Sequence, residues 1–430
     1  MGIVLAILAL SFLIIVHELG HFMVAKAFKV KVNEFSLFMG PKLFSFTKGE
    51  TVYSLRLIPL GGYVKMEGEE ESSEDDRAYN KKPIGVRAAI IAAGPLMNIL
   101  TALVFAFIIH LNTGFFTTQI KALEPGSPAE QAGLQVGDRL QKYNGKTIFD
   151  INDIAIFSYP LKDESITLQF NRNGESKTIE VTPKRESYML GFSPLEAELE
   201  GKNSNVVEAV SDKSPAAEAG LKKGDRIVKL GGETVSTRKD IREILQQNKD
   251  KKVSILVERD GSLQELTPVV PLKTKNSEFS AIGINNFEHV KGGIGNTLKQ
   301  AINYNIFISR SIYYSLGWLI TGTVPASELM GPVGITTTIS NEVAASQSAM
   351  ETVIRLLTIT TMISINLGLV NLIPFPALDG SKLVLLLVEG IRKKPLNPEK
   401  EALITMIGMV ILIMLMIYAT FNDILRLGKG

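Results

Sequence analysis

Four stretches of this chain are apolar over the ~20 residues that a helix needs to cross a bilayer: Gly2–Phe28, Ala88–Leu111, Leu356–Val388 and Ala402–Phe421. In lipid, a backbone must satisfy its own N–H and C=O groups, so each run is expected as a helix. With 45% hydrophobic residues and a mean hydropathy of +0.17, the 430-residue chain is too apolar for an ordinary soluble enzyme. Only the long segment between the second and third runs has a globular composition. The expected fold class is a polytopic α-helical membrane protein with four transmembrane helices and a soluble insertion.

Charge sets the expected orientation. The formal net charge is +2 and no basic run is interleaved with aromatics, which excludes nucleic acid as a partner class. The stretch from Lys26 to Arg87 holds 11 Lys and Arg, and the short connection 391–401 holds Arg392, Lys393, Lys394 and Lys400. Both loops are therefore expected on the cytoplasmic side, with both chain ends and the middle region outside. The acidic cluster Glu67–Asp76 reads as solvated surface. With 0 Cys, no disulfide framework holds the outer region. The apolar start lacks a basic n-region and a small-residue cleavage site before His17, so it reads as a retained span.

The middle region repeats itself. The stretch from Pro125 to Leu140, PGSPAEQAGLQVGDRL, returns from Asp212 to Ile227 as DKSPAAEAGLKKGDRI, at an offset of 87 positions. In each copy a Ser before Pro caps a short helix, and the Gly after it closes that helix with a left-handed residue. Asn144-Gly145 and Gly231-Gly232 supply hairpin turns, followed by alternating strands such as Ser165–Phe170 and Val253–Glu258. The pattern resembles two tandem β-rich PDZ domains, expected at 113–200 and 201–290. Tyr188–Phe192 and Ala281–Ile284 look like the loops that receive a peptide carboxylate; they follow their repeats' strands, which suggests circular permutation and blurs the boundary near residue 200. Gripping a free C-terminus and gating access to the membrane are both open roles for such domains.

Two histidines and a glutamate stand inside the first apolar run, as His17-Glu18-Leu19-Gly20-His21. Histidines four apart lie about one turn apart on one helix face, within reach of a single metal ion, and Glu18 projects beside them as a base. Ionisable groups at bilayer depth cost about 2.5–3.5 kcal/mol each on insertion scales, so three of them together imply a role. A polar helix–helix contact is the bland alternative. A catalytic zinc takes three protein ligands. Asp379 is the one acidic residue between Leu356 and Val388, and it follows Pro374 and Pro376, which break the helix. His17 lies about 24 Å along a helix from Met1. With the N-terminus outside, that depth matches Asp379, late in a span running inward. His110 and His289 read as interface or linker residues.

Taken in order, the His17–His21 motif, Ile58–Met66 (IPLGGYVKM), Ala93–Asn98 (AGPLMN), the tandem repeat and Asn371–Gly380 (NLIPFPALDG) resemble the site-2 protease family of intramembrane zinc metalloproteases over nearly the whole chain. The likeness is closest to the bacterial branch that cuts anti-sigma factors. It implies that His17, His21 and Asp379 bind Zn2+, that Glu18 is the catalytic base, and that Asn371, beside Pro374 and Pro376, helps hold the substrate backbone. It also implies a membrane re-entrant β-loop in Phe35–Val64, with turns at Gly40-Pro41 and Gly61-Gly62, within a cytoplasmic loop 29–87. Ile294–Ile320, which carries Arg310, is expected as an amphipathic helix on the outer membrane surface, with a linker out to about residue 350. One departure stands out: Ser381-Lys382 follows Gly380, where relatives often have Gly-His.

The function these features imply is peptide hydrolysis within the membrane. The substrates would be single-span proteins such as an anti-sigma factor, or remnant signal peptides, with the repeats gating access from the periplasm of an inner-membrane protein. A divalent-metal transporter, which gives Glu18 no purpose beside the histidine pair, and a scaffold whose repeats bind partners and whose metal site is only structural are rivals.

Overall fold

In the computed structural model, residues 2–69, 73–159, 164–194, 205–394 and 398–427 are described. They form two compact units: 1–117 with 289–430, and 118–288.

The first unit opens with α1 (Gly2–Ala27), the hairpin β1 (Val32–Lys48) and β2 (Thr51–Met66), and α2 (Ile84–Thr113). Glycines let α1 and α2 touch backbone to backbone: a Cβ on Gly20 would stand 2.4 Å from the Ala93 carbonyl oxygen. The hairpin reverses at Gly49-Glu50, not at the two expected turns. Gly40 (φ 84°) and Gly61 (φ 83°) instead kink the long strands. Folded on itself this way, β1 pairs on both sides at once, Phe35 lying opposite Tyr53 and opposite Val64. Arg56 ties the inside of this small sheet together, donating to Glu34 (3.0 Å), Ser36 (3.1 Å), Tyr63 (2.6 Å) and the Gly40 carbonyl (2.8 Å). The hairpin exposes Met39, Leu43, Phe44, Phe46, Leu57 and Ile58.

The second unit contains the repeats. The first has β3 (Phe115–Leu123), α3 (Pro128–Gln131), β4 (Arg139–Tyr143), β5 (Lys146–Thr147), α4 (Asp153–Ser158), β6 (Ile166–Arg172) and β7 (Glu175–Val181). The second has β8 (Glu186–Met189), β9 (Phe192–Pro194), β10 (Val207–Val210), α5 (Pro215–Ala219), β11 (Arg226–Leu230), β12 (Glu233–Thr234), α6 (Arg238–Gln247), β13 (Val253–Arg259), β14 (Ser262–Val269) and β15 (Leu272–Lys275). Last come α7 (Glu278–Ile282) and β16 (Ile284–Val290).

The expected caps form: Ser127 accepts from the Glu130 N–H and Ser214 from the Ala217 N–H. The 87-residue offset extends to a buried ion pair that the sequence alone does not announce. Arg172 grips Asp138 with two bonds of 2.7 Å and donates to the Gly133 carbonyl. Arg259 does the same to Asp225 and the Gly220 carbonyl. Each aspartate also accepts the N–H three residues before it, from Gln135 or Lys222.

The two repeats are not consecutive blocks. β16 follows the second repeat yet joins the sheet of the first, in the order β16-β3-β4-β6-β7. Conversely, Leu190 is buried in the core of the second repeat, with Tyr188 and Phe192 against it. Tyr188–Phe192 therefore serves the second repeat and Ala281–Ile284 the first, and a contiguous division into 113–200 and 201–290 does not follow the sheets. The boundary at 200 itself lies outside the described residues. A buried triad fastens the returning segment: Glu278 accepts from Tyr143 Oη (2.5 Å) and from Arg185 Nε (3.0 Å) and Nη2 (3.1 Å). Burial first, and then the bond to Glu278, hold the Tyr143 phenol well above its usual range. The first-repeat loop is wound into α7, and the N–H groups of Ser280, Ala281 and Gly283 already donate to Ser277 Oγ, the Ser277 carbonyl and the Phe279 carbonyl. Two of the four amides of Ala281–Ile284, those of Ala281 and Gly283, are thus already engaged within the turn.

The first unit resumes with α8 (Ile294–Ile320), α9 (Pro332–Ala344), α10 (Ala349–Asn371), α11 (Asp379–Arg392) and α12 (Pro398–Leu427). Among the described residues, α1, α2, α10 and α12 are long and apolar enough to cross a membrane. The expected third run is split, because α10 stops at Asn371 and the chain restarts as α11 at Asp379. α8 packs locally on helices, Ile308 against Ala102 of α2 and Ile365 of α10, and Tyr304 against the His110 ring. Ala102 is small enough to let α8 come close there, while Ile294, Leu298, Ile302, Tyr313 and Ile320 remain exposed.

Candidate metal centre

Two separated pieces of sequence meet inside the first unit. His17 and His21 sit one turn apart on α1, and Asp379 is the first residue of α11, beyond the Pro374–Pro376 break. The Nε2 atoms of the histidines are 3.2 Å apart, and Asp379 Oδ2 stands 3.1 Å from one and 3.5 Å from the other. Three corners of a tetrahedron around a zinc with ligand bonds of 2.0–2.1 Å are about 3.3 Å apart. The triangle has the size of one face of such a site. Among the described residues, these are the one group of three or more metal-ligating side chains gathered closely enough to share an ion.

The outer edges of the rings show which atoms face inward. Nδ1 of His21 lies 2.8 Å from the Ile90 carbonyl of α2, which can only accept, so that nitrogen carries a proton. Nδ1 of His17 lies 3.2 Å from Asn98 Nδ2, also on α2. Both Nε2 atoms are thereby turned toward a carboxylate. The His21 Nε2 lone pair and the Asp379 carboxylate converge beside His17 Nε2, an arrangement that a shared cation would hold together. The donor set, two imidazoles and a carboxylate, is that of a catalytic zinc site.

Space is reserved for that arrangement. A Cβ on Gly94 would fall 2.3 Å from His21 Nε2 and 2.9 Å from His17 Nε2. Glycine at this point on α2 is what lets both rings stand where they do. On α10, Ser364 Oγ donates to the Asn98 carbonyl at 2.7 Å, and a Cβ on Gly368 would meet the Pro95 carbonyl at 2.8 Å. α12 seats the break itself, since a Cβ on Gly408 would stand 2.3 Å from the Pro376 carbonyl.

Glu18 is half-buried, and no hydrogen bond or ion pair holds its carboxylate among the described residues. It faces the hairpin: its Cγ is 3.5 Å from where a Cβ on Gly62 would stand. Ser11, two turns earlier on α1, donates to the Pro59 carbonyl at 2.5 Å. Asn371 ends α10, and Pro374 and Pro376 lie in the turn that follows, Pro374 exposed. On α11, Lys382 pairs with Glu69, just past the end of β2, at 3.1 Å.

Sequence reasoning brings Glu18, His17, His21 and Asp379 together, but it assigns no role to Gly94, Asn98, Ile90 or Ser364. The signal for two of these was present. Gly94 and Asn98 are themselves four apart, and α2 runs antiparallel to α1, so they face His21 and His17 in turn.

A metal-binding triangle with a free glutamate beside it, inside a bundle of membrane-crossing helices, defines a membrane metallohydrolase. The chain matches the model of Peptidase family M50 over residues 5–415 and belongs to that family. It is similar to the regulator of sigma-E protease RseP of Escherichia coli, 32% identical over 98% of both chains. It is similar too to the regulator of sigma-W protease RasP of Bacillus subtilis, 31% identical over 96% of both. The zinc metalloprotease RasP of Bacillus licheniformis is 32% identical over 98% of both. The protein is a zinc-dependent metalloprotease with several membrane spans.

Proposed function

We propose that the protein is an intramembrane endopeptidase that cuts within the membrane segment of single-span substrates, with His17, His21 and Asp379 as its zinc ligands and Glu18 as its base. The observation that carries this reading is the triangle of acceptors 3.1–3.5 Å on edge, with both Nδ1 atoms turned outward to α2. Bound there, zinc supplies Lewis acidity toward a carbonyl and toward water. Glu18, one residue from His17 and unconstrained by partners, takes the proton from water and returns it to the leaving amine.

A helical substrate hides its carbonyls in hydrogen bonds and must be unwound. The hairpin beside Glu18 suits that task as a strand edge, and its exposed Leu43, Phe44 and Phe46 suit a re-entrant loop in contact with lipid. Asn371, with Pro374 and Pro376 in the break that leads to Asp379, would help hold the substrate backbone. The relatives' names point to an anti-sigma factor as the substrate, with remnant signal peptides as a second class. On this reading the repeats are PDZ domains on the periplasmic side of an inner-membrane protein, gating substrates that retain bulky outer domains. The active site lies toward the cytoplasmic side.

Reconstitution with a single-span substrate tests the mechanism. Glu18→Gln is expected to keep its zinc and lose cleavage. Continued cleavage by zinc-loaded Glu18→Gln would exclude Glu18 as the base.

A further inference from the structure

Asn98 is fully buried and touches the candidate site through a single contact, Nδ2 to His17 Nδ1 at 3.2 Å. Its Oδ1 is buried without a hydrogen-bond partner among the described residues. The residue cannot drift, because its carbonyl accepts from Ser364 Oγ at 2.7 Å and its helix is locked to α1 at Gly20 and to α10 at Gly368.

When His17 Nε2 offers its lone pair to a metal, its Nδ1 carries the ring's proton. An amide Nδ2 facing that N–H at 3.2 Å would set donor against donor, whereas a half-turn of the amide sets Oδ1 against it. One end of the amide lacks a partner in either orientation, so the contact with His17 decides which is favoured. His21 shows the same arrangement with a backbone acceptor, its Nδ1–H donating to the Ile90 carbonyl at 2.8 Å. A helix side of α2 thus supplies one acceptor to each ring.

We infer that Asn98 is a positioning residue for the metal centre, its Oδ1 accepting from Nδ1–H of His17 and holding that ring with Nε2 inward. The inference rests on the reading of His17 as a metal ligand and adds to it an acceptor requirement at position 98. Acceptors placed behind a ligating histidine fix its orientation and raise its basicity, and removing one typically weakens metal binding 10–100-fold.

The test is zinc affinity of the full-length protein, measured by competition with a chelator, for wild type, Asn98→Ala, Asn98→Leu and Asn98→Asp. Thermal unfolding of the metal-free proteins controls for folding. Asn98→Ala and Asn98→Leu are expected to bind zinc about 10–100-fold more weakly. Asn98→Asp, which keeps an acceptor of the same shape, is expected to stay within about threefold of wild type or bind more tightly. The inference is overturned if Asn98→Ala matches wild type, or if Asn98→Asp is as weak as Asn98→Ala, which would assign Asn98 to donation or packing. A wild type and a His17→Ala variant with equal zinc affinity would instead refute the ligand reading itself.

Discussion

Replacing Gly94 by Ala adds one methyl group to the most crowded point of the centre. The new carbon would lie 2.3 Å from His21 Nε2, 2.6 Å from its Cε1 and 2.9 Å from His17 Nε2, where contacts under 3.0 Å are essentially never seen. The rings must therefore retreat by roughly 1 Å, and a misplacement of about that size at a reacting centre costs on the order of 10²-fold in rate. Separating the helices instead would give up the close backbone packing at Gly20 on Ala93 and at Gly368 on Pro95. Helix propensity works the other way, favouring Ala over Gly by about 0.5–1 kcal/mol in a helix interior. Gly94→Ala should thus lose zinc affinity and at least about 10²-fold in kcat/KM while the helices keep their stability. Gly85→Ala, on the same helix with nothing within 4 Å, is the control and should be silent. Cleavage assays on reconstituted protein, with zinc content and thermal unfolding of each variant, check this. A Gly94→Ala protein that keeps both zinc and activity would refute the reserved-space reasoning.

Other consequences concern the outer repeats. Asp225 is held below the usual carboxylate range: burial alone would raise it, and the bonds from Arg259 and the Lys222 N–H outweigh that burial. Its contribution is therefore complete above the unfolded pKa of about 3.9 and fades as pH falls through the lower folded value. Asp225→Asn should cost roughly 3 kcal/mol near pH 7, because it strands a partly buried guanidinium, and the gap to wild type should shrink on acidification below about pH 4. Limited proteolysis of the repeat region across pH measures both, and a gap that widens in acid would contradict the assignment. Tyr143→Phe removes a hydrogen bond to a buried carboxylate and should destabilise the return of β16 by about 1.5–3 kcal/mol. Protease should then cut near residues 276–290 first. The absence of cysteine makes a single introduced Cys a clean reporter of the same opening.

The sequence was most legible where chemistry and periodicity coincide. Four runs of apolar residues carry the spanning helices, and an i, i+4 histidine pair carries half of the metal triangle, because both depend on local spacing. The helix break at Pro374–Pro376 and the Ser-Pro caps at 127 and 214 are local for the same reason. What stayed hidden depends on partners distant in sequence. The placement of the two loops after their repeats' strands hints at circular permutation, but nothing in β16 says that it joins the sheet begun at Phe115, since it differs from any other half-buried strand only in what it pairs with. Likewise, the double pairing of Phe35 needs kinks at Gly40 and Gly61 that read equally well as turns. The amphipathic pattern of α8 is the same whether lipid or the pair Ala102 and Ile365 covers it. Gly94 and Asn98 become meaningful only once α2 is set antiparallel to α1.

X-ray absorption at the zinc edge of the purified protein addresses the central claim most directly. The account predicts one zinc per chain in a shell of nitrogen and oxygen at about 2.0–2.1 Å, with the signature of two imidazoles and without sulfur. Asp379→Ala should change that shell or lose the metal. An unchanged two-imidazole shell at full zinc occupancy in Asp379→Ala would contradict the claim that α1 and α11 share one ion.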